Sequence, residues 1–344
     1  MNAVTRTTPS GAPSTEENET FPGVTALLGP PEHRFFGEGY KRPLHRLTDV
    51  RFTDSDSRRP GVNAVAAVEY PGDWSRKSSG NQRPHLSTVD VLLYGVRLAE
   101  LLLAAEGWGP EVLRDSWLRR ARIRAGSSPV EDDLAGFPVT VELEDRVPSP
   151  VAGREVTVIR GTVATLRVSL EIDHPAVCGP PSRPVPLPGA PAHPERHLYW
   201  DGFRYRGQDI DQLVLEPDRP AANALLRTTT RGPAALPPEG FEAAHQPSAG
   251  FVDLFVSALQ LGQILLYRLD ALTRESSHTL WMRSTSWEAD RPDRPAGERL
   301  PLLVALEDAD ILPTREGPLR RAEIKASHHG MRLTCSVVHR LPGA

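Results

Sequence analysis

The sequence is poor in the residues and runs that define several protein classes. Cysteine occurs only at Cys178 and Cys335 in 344 residues, too few for a disulfide framework or a four-thiolate zinc site. No run of about 18 uncharged apolar residues is present, so no membrane span is expected. Residues 1–20 lack the basic start and apolar core of a secretory signal, which predicts a cytoplasmic protein.

An excess of positive charge and the common cofactor motifs are missing too. The chain has 40 basic and 44 acidic residues and a net charge of −4, a balance that argues against a general nucleic-acid surface. The sequence contains no P-loop, no dinucleotide-binding glycine motif after a strand, no GxSxG nucleophile turn and no metal quartet. We therefore expect no cofactor.

Proline, in contrast, is concentrated at mid-chain. Eight prolines fall between Pro175 and Pro194, a density that excludes a helix or a sheet interior because proline lacks an N–H donor. We predict an extended linker over residues 175–196. Residues 1–20, rich in Thr, Ser, Asn and Glu, are predicted to be a disordered tail. The remaining chain forms two segments, residues 21–174 and 197–344.

These two segments repeat each other at a constant offset of 163 positions. The matched strings are residues 39–42 with 202–205, 89–92 with 252–255, 118–120 with 281–283, and 141–144 with 304–307. One offset serving several separated strings indicates two copies of one fold. Two unrelated α+β domains are the alternative, which the constant offset disfavours.

Each copy is predicted to place a long buried helix before a series of antiparallel strands. The helices cover residues 86–106 and 250–272, where apolar residues lie on most faces. The strands are predicted over residues 118–123, 139–143, 155–159 and 163–172, and over 279–287, 302–306, 319–327 and 331–339. A sheet that curls around one long helix is a hotdog fold. The predicted fold class is therefore α+β, a tandem hotdog whose copies are related by a pseudo-two-fold axis.

His85 lies just before the first long helix. A helix N-terminus offers unpaired N–H groups and a partial positive charge, which suit a thioester carbonyl or an oxyanion. Because histidine exchanges protons near neutral pH, His85 is predicted to be catalytic; the alternative is a capping or surface histidine. Its equivalent in copy two is Ser248, which predicts one working site rather than two.

Asp90 and Asp253 occupy equivalent positions in the first turns of the two helices. The helix dipole alone favours a carboxylate there, typically by about 0.3–1 kcal/mol. Recurrence of the carboxylate in two buried helices also predicts a catalytic role. Asp253 is the first candidate for the partner of His85, and Asp90 is the second.

Four further residues are predicted to contact substrate. Ser87 is also a good helix cap, which is the simpler interpretation. Gln260 lies in an apolar helix and needs hydrogen-bond partners, in the substrate or in a neighbouring strand. Lys41 and Arg42 follow a string rich in aromatic residues and glycine, and they would suit an anionic group.

Several strings resemble the avirulence protein D (AvrD) family. The most specific are FFGxGYKR at residues 35–42 and RPHLST at residues 83–88, supported by residues 29–30, 68–71, 73–75 and 250–253. The resemblance runs from about Gly29 to the C-terminus, apart from the linker. It implies a biosynthetic enzyme of the kind that makes syringolides, lactones built from a β-ketoacyl chain and a pentulose. The chain is also similar in type to the A-factor-type butyrolactone synthases, which are hotdog proteins that transfer a β-ketoacyl group to a three-carbon phosphate.

The first hypothesis is therefore an acyltransferase or condensing enzyme. It would join a β-ketoacyl thioester, carried by coenzyme A or an acyl carrier protein, to a sugar or small polyol hydroxyl. The alternatives are a double-hotdog dehydratase or hydratase that pairs His85 with Asp253, and a non-enzymatic module that binds an acyl or lactone ligand. Neither a nucleic acid nor a membrane is expected as a partner.

Overall fold

A computed structural model describes most of the chain. The described residues are 17–53, 59–74, 76–77, 80–81, 83–126, 128–176, 188–231, 237–315 and 317–341. Cys178, most of the predicted tail and residues 177–187 of the predicted linker lie outside them. Glu19 and Thr20, placed in the tail by composition, begin the first strand.

Two long helices form the centre of the molecule, as the sequence predicts. The helices are α1 (Thr25–Leu28), α2 (Thr88–Ala105), α3 (Pro110–Asp115) and α4 (Phe251–Leu269). Every described side chain of α2 from its first residue to Ala104 is buried, because the surrounding sheet covers all of its apolar faces. Gly95 shows how close this packing is, since an added Cβ would lie 3.0 Å from Val168 Cγ2.

Fifteen strands are present in the described residues. They are β1 (Glu19–Gly23), β2 (Leu44–Phe52), β3 (Gly61–Glu69), β4 (Arg76–Lys77), β5 (Gly80–Asn81), β6 (Trp117–Arg124), β7 (Phe137–Pro148), β8 (Arg154–Val163), β9 (Leu166–Pro175), β10 (Arg206–Leu215), β11 (Ala221–Thr230), β12 (Trp281–Ala289), β13 (Leu300–Leu312), β14 (Leu319–His328) and β15 (Met331–Arg340). Two predicted strands begin too early: Thr279 and Leu280 precede β12, and Val163 ends β8 and does not begin β9. The turn between them contains Ala164 at φ 49°.

Thirteen strands form one antiparallel sheet, and β4 and β5 form a separate hairpin. The order is β1-β10-β11-β13-β14-β15-β12-β6-β9-β8-β7-β3-β2. Strand β6 of copy one pairs with β12 of copy two, in a register that places Ile123 opposite Thr285. This pairing joins the two copies edge to edge, and the strand order of one copy is repeated in reverse in the other.

The offset of 163 residues persists in the irregular features of the fold. Helix α2 begins at Thr88 and α4 at Phe251. The register of β2 shifts around Asp49 (φ 52°), and that of β10 shifts around Gln212 (φ 51°). The prediction of a tandem hotdog is confirmed. The superposition of the copies about a pseudo-two-fold axis stays a prediction.

Helix α4 is long and apolar enough, by length and composition, to cross a bilayer. The helix carries the charged residues Asp253 and Arg268, so the expectation that the sequence has no uncharged apolar run of this length still holds. In the fold, however, 78% of that helical window is buried inside the protein. The apolar surface of α4 thus belongs to the core that it forms with the sheet.

Candidate active site

A cleft of about 130 Å³ lies between the two copies at the N-terminus of α2. Copy one contributes His85, Ser87 and Thr88, and copy two contributes Phe255 and Gln263 from α4. Its apolar lining consists of Phe35, Phe36, Trp74, Leu86, Val130, Leu166, Leu280, Trp281 and Met282. We call this the His85 cleft.

The environment of His85 holds its ring in one orientation and one tautomer. Its Nδ1 lies 3.4 Å from the carbonyl oxygen of Arg83, and the edge of Trp74 packs on the ring with centroids 5.3 Å apart. A carbonyl oxygen only accepts hydrogen bonds, so Nδ1 carries the proton and Nε2 is the unprotonated nitrogen. Burial lowers the pKa of His85 below its ordinary value, which favours the neutral ring that a general base requires.

Ser87 and Asp90 form a capping box at the start of α2. The backbone N–H of Ser87 donates to Asp90 Oδ2 at 2.8 Å, and that of Asp90 donates to Ser87 Oγ at 3.2 Å. The Tyr70 hydroxyl also donates to Asp90 Oδ2. Ser87 lines the cleft, but its side chain is engaged in holding the helix N-terminus. The N–H groups of Thr88 and Val89 have no intrahelical acceptor in this first turn.

The second oxygen of Asp90 is held by His45, a residue that the sequence analysis missed. His45 Nε2 lies 2.7 Å from Asp90 Oδ1, with both side chains about 1% exposed. Arg204 of copy two lies 3.3 Å from His45 Nδ1. Because arginine only donates, Nδ1 accepts and Nε2 donates to the carboxylate. Burial raises the pKa of Asp90, and His45, Ser87 and Tyr70 more than offset this effect, so that the pKa is lowered.

The equivalent carboxylate in copy two has different partners. Asp253 accepts from Gly250 N at 2.8 Å, from Gln208 Nε2 at 2.7 Å and from Arg206 Nη2 at 3.1 Å. Gln208 is the equivalent of His45 at the offset of 163. No hydrogen bond joins His85 to Asp253 or Asp90 in the described part of the chain. The predicted direct pairing is therefore not formed, because each carboxylate is already occupied at its own helix N-terminus.

The loop before α4 is filled by packing. Ser248 is buried, and its carbonyl oxygen accepts from Arg206. Arg294 and Glu242, both with fully buried side chains, form an ion pair of 2.5 Å. Glu242 also accepts from Leu118 N and from the Tyr199 hydroxyl, each at 3.1 Å. The side chains of Arg294 and Glu242 and the carbonyl oxygen of Ser248 are thus all engaged within this loop region.

The three remaining predicted contact residues lie outside the His85 cleft. Lys41 pairs with Glu38 at 2.8 Å, and Arg42 pairs with Asp73 at 2.5 Å. Gln260 accepts a hydrogen bond of 2.5 Å from Arg34 Nη1. Each of these side chains is bound to a protein neighbour. Their positions therefore do not support a direct contact with a substrate in the cleft. Within the described ranges, no group of three or more His, Cys, Asp or Glu side chains is placed to hold a metal ion.

A protein-family model described as Pseudomonas avirulence D protein (AvrD) matches residues 19–342. No curated protein matches the chain. Solved structures with a similar chain path include an acyl-CoA thioesterase II from Mycobacterium marinum, with 13% identity, a TM-score of 0.38, and coverage of 85% of this chain and 95% of that one.

Two other similar structures are a hot dog protein of unknown function from Alicyclobacillus acidocaldarius and a dehydratase domain. The first has 10% identity and a TM-score of 0.36, over 85% of this chain and 96% of that one. The second, from the CurF module of the curacin polyketide synthase, has 10% identity and a TM-score of 0.33, over 87% and 98%. This likeness concerns the chain path alone.

Proposed function

The chain belongs to the AvrD family, and from this premise we propose that it is a biosynthetic enzyme that acts on acyl thioesters. The proposed reaction transfers a β-ketoacyl group from a thioester to the hydroxyl of a sugar or small polyol. The observation that supports it most is the neutral, oriented His85 in an apolar cleft beside a helix N-terminus. That combination provides a base, an apolar wall and N–H donors in one place.

In the proposed step, His85 Nε2 takes the proton of the acceptor hydroxyl as its oxygen attacks the thioester carbonyl carbon. The new C–O bond forms, the C–S bond breaks, and the proton is returned to the departing thiolate. The N–H groups of Thr88 and Val89 would stabilise the oxyanion that develops on the carbonyl oxygen. The Arg83 carbonyl, and not a carboxylate, orients the histidine. Asp90 and Asp253 then act as positioning residues that fix the helix N-termini.

The volume of the His85 cleft limits the length of the acyl chain that it can hold. A volume of about 130 Å³ is below the ~300–1,000 Å³ of ordinary ligand pockets. The acyl chain would therefore be short, or it would extend past Trp281, which is 44% exposed. Arg283 is an exposed residue of the same lining. It offers a cation to the phosphate group that coenzyme A and the arm of an acyl carrier protein share.

Mass spectrometry of products tests the proposal. The protein is incubated with β-ketoacyl-coenzyme A or a β-ketoacyl carrier protein together with a set of ketoses. An acyl-ketose product supports the proposal. Free β-keto acid alone would indicate a hydrolase, and a 2-enoyl product from a 3-hydroxyacyl thioester would indicate a dehydratase. Binding of an acyl ligand without turnover of any thioester would indicate a binding module.

The role of His85 has its own variant. Because a general base typically contributes about 10²–10⁴ in rate, His85→Ala is expected to lower the rate of acyl transfer by that factor. His193→Ala is the control, since the His193 side chain is 52% exposed and lines neither the cleft nor the helix N-terminus. Near-full activity of His85→Ala would refute the assignment.

A further inference from the structure

Arg34 is a buried cation that has no carboxylate partner. The residue is only 4% exposed, yet no acidic side chain lies within ion-pair distance of its guanidinium in the described residues. Its Nε donates to the Pro30 carbonyl at 3.3 Å, and Nη1 donates to Gln260 Oε1 at 2.5 Å. Three of its five N–H donors, including both on Nη2, have no acceptor among the described residues. Burying a charge with so little compensation is costly.

Arg34 lines a polar cavity of about 460 Å³ between copy one and strand β10 of copy two. Four arginines and three carboxylates line this Arg34 cavity, and each carboxylate is paired with another cation. The pairs are Glu38 with Lys41 at 2.8 Å, Asp209 with Arg227 at 2.7 Å, and Asp211 with Arg299 at 3.1 Å. Arg34 is thus the one arginine of the described lining without an anion.

In the other copy, a carboxylate lies beside the position that is equivalent to Arg34. The offset of 163 places His197 at the position of Arg34 and Glu100 at the position of Gln263. Glu100 lies 3.6 Å from His197 Nδ1 and 3.0 Å from Arg97 Nη1. On the α4 side an amide stands where α2 has this carboxylate, and no described carboxylate takes its place against Arg34.

We propose that the Arg34 cavity binds a small polar molecule through a terminal oxyanion, a phosphate or a carboxylate, that takes the free donors of Arg34. The guanidinium presents two parallel N–H groups, the arrangement that matches both oxyanions. Gln260 fixes the fork, and its own Nε2 is anchored to the Val256 carbonyl at 3.1 Å. Burial lowers the pKa of Arg34 to about 10, which still leaves the side chain charged at neutral pH.

The site does not depend on the proposed acyl transfer. The Arg34 cavity and the His85 cleft have no lining residue in common. A volume of about 460 Å³ falls within the range of metabolite pockets, ~300–1,000 Å³. The test therefore measures binding and not turnover, and its failure would leave the proposed function untouched.

Calorimetric titration of the full-length protein with inorganic phosphate and with acetate tests the proposal. Saturable binding at millimolar concentration is expected for at least one anion, and the tighter one identifies the oxyanion class. Arg34→Gln is expected to weaken that binding at least tenfold. Arg321→Gln is the matched control, because Arg321 is exposed, already paired with Asp310 and outside the lining of the Arg34 cavity, and it should bind like the wild type.

Gln260→Glu keeps the test decisive if Arg34→Gln does not fold. It places a carboxylate against the guanidinium, so we expect a higher unfolding temperature and at least tenfold weaker anion binding. Absence of binding in the wild type would overturn the proposal. Wild-type affinity in Gln260→Glu, or in a folded Arg34→Gln, would overturn it as well.

Discussion

The two long helices, α2 and α4, have equivalent positions in the fold, but their polar side chains have different partners. Around α2 the charges are paired and enclosed. Arg97 contacts Glu100 at 3.0 Å and donates to the carbonyl oxygens of Pro188 and Gly189 at 2.7 and 2.9 Å. Residues 188–189 of the predicted linker therefore close this side.

Around α4 the corresponding side chains are amides. Gln260 stands at the position of Arg97, and Gln263 at the position of Glu100. The cation there comes from the other copy, as Arg34, and a cavity remains beside it. Gln263 also lines the His85 cleft. Both candidate sites thus lie along α4, where copy one contributes side chains from its residues 34–38 and 85–88.

This difference indicates that equivalent positions in the two copies of the fold have different roles. Buried ion pairs connect the loops of copy two to their surroundings. The same positions near the start of copy one carry aromatic residues, a neutral histidine and an unpaired arginine. We infer that the region around α2 and the loop before α4, where the charges are paired, stabilises the fold, and we call it the closed side. The region of α4 that faces residues 34–38 and 85–88 of copy one contains both candidate sites, and we call it the open side. The following predictions test this division, from the largest expected effect to the smallest.

Removal of the charge of Glu242 should have the largest effect on stability. Glu242→Gln leaves Arg294 as a fully buried cation and weakens the acceptor used by Leu118 and Tyr199. We expect a loss of about 3–5 kcal/mol in the free energy of unfolding, the range for breaking a buried pair. Urea unfolding measures the change. Glu307→Gln, in an exposed pair with Lys325, is the control and should unfold like the wild type. If the two variants are alike, the closed loop before α4 does not carry stability.

Glu100→Gln should have the next largest effect, and it depends on pH. Burial raises the pKa of Glu100, but His197 and Arg97 outweigh it and lower the pKa from 4.5 to about 2. At about 1.4 kcal/mol per unit, the variant should lose about 3 kcal/mol at pH 7. Since the folded pKa is depressed, this contribution is complete above about pH 4.5 and is lost as the pH falls toward 2.

Urea unfolding at several pH values measures this loss. Glu111→Gln is the control, because the Glu111 side chain is 92% exposed. A difference between Glu100→Gln and the wild type that stays constant between pH 7 and pH 3 would contradict the assigned ion pairs. A difference that shrinks with acidity would support them.

The architecture could be predicted from the sequence because it depends on patterns that repeat. The apolar helices and the alternating strands recur at one offset, and their periodicity reports burial directly. The partners of individual side chains could not be predicted in the same way. His45 meets Asp90 from a strand 45 positions earlier in the chain, and nothing local marks that approach.

The one available signal was asymmetry within the repeat. It drew attention to His85 against Ser248, and the same comparison sets His45 against Gln208 and Arg34 against His197. Neither Asp90 nor Asp253 forms a direct hydrogen bond with His85 in the described residues, because a carboxylate in the first turn is bound at its own helix N-terminus. Each aspartate caps its own helix, so its oxygens are already bound and do not pair directly with His85.

Equivalent substitutions at the two capping aspartates should have unequal effects. Asp253→Asn leaves the buried Arg206 without a carboxylate, so we expect a loss of about 2 kcal/mol. Asp90→Asn breaks no contact with an arginine, since the partners of Asp90 are His45, Tyr70 and Ser87, so we expect about 1 kcal/mol, the usual cost of a weakened cap. Urea unfolding of the two variants side by side measures the difference. Equal losses, or a larger loss for Asp90→Asn, would contradict the contrast drawn between the two helix N-termini.

The smallest expected effect is a shift in the pH dependence of acyl transfer. Burial lowers the pKa of His85, and protonation of Nε2 removes the proposed base. The rate should therefore be flat near pH 7, and it should fall on the acid side with a midpoint below 6.5, the ordinary value for histidine. Below that midpoint the rate should drop about tenfold per pH unit, because one proton is involved. The log of kcat/KM measured between pH 4.5 and 8 gives the midpoint, and residual activity of His85→Ala should lack this acid limb. An acid limb that persists in His85→Ala would assign the titration to another group and leave the open side without its proposed base.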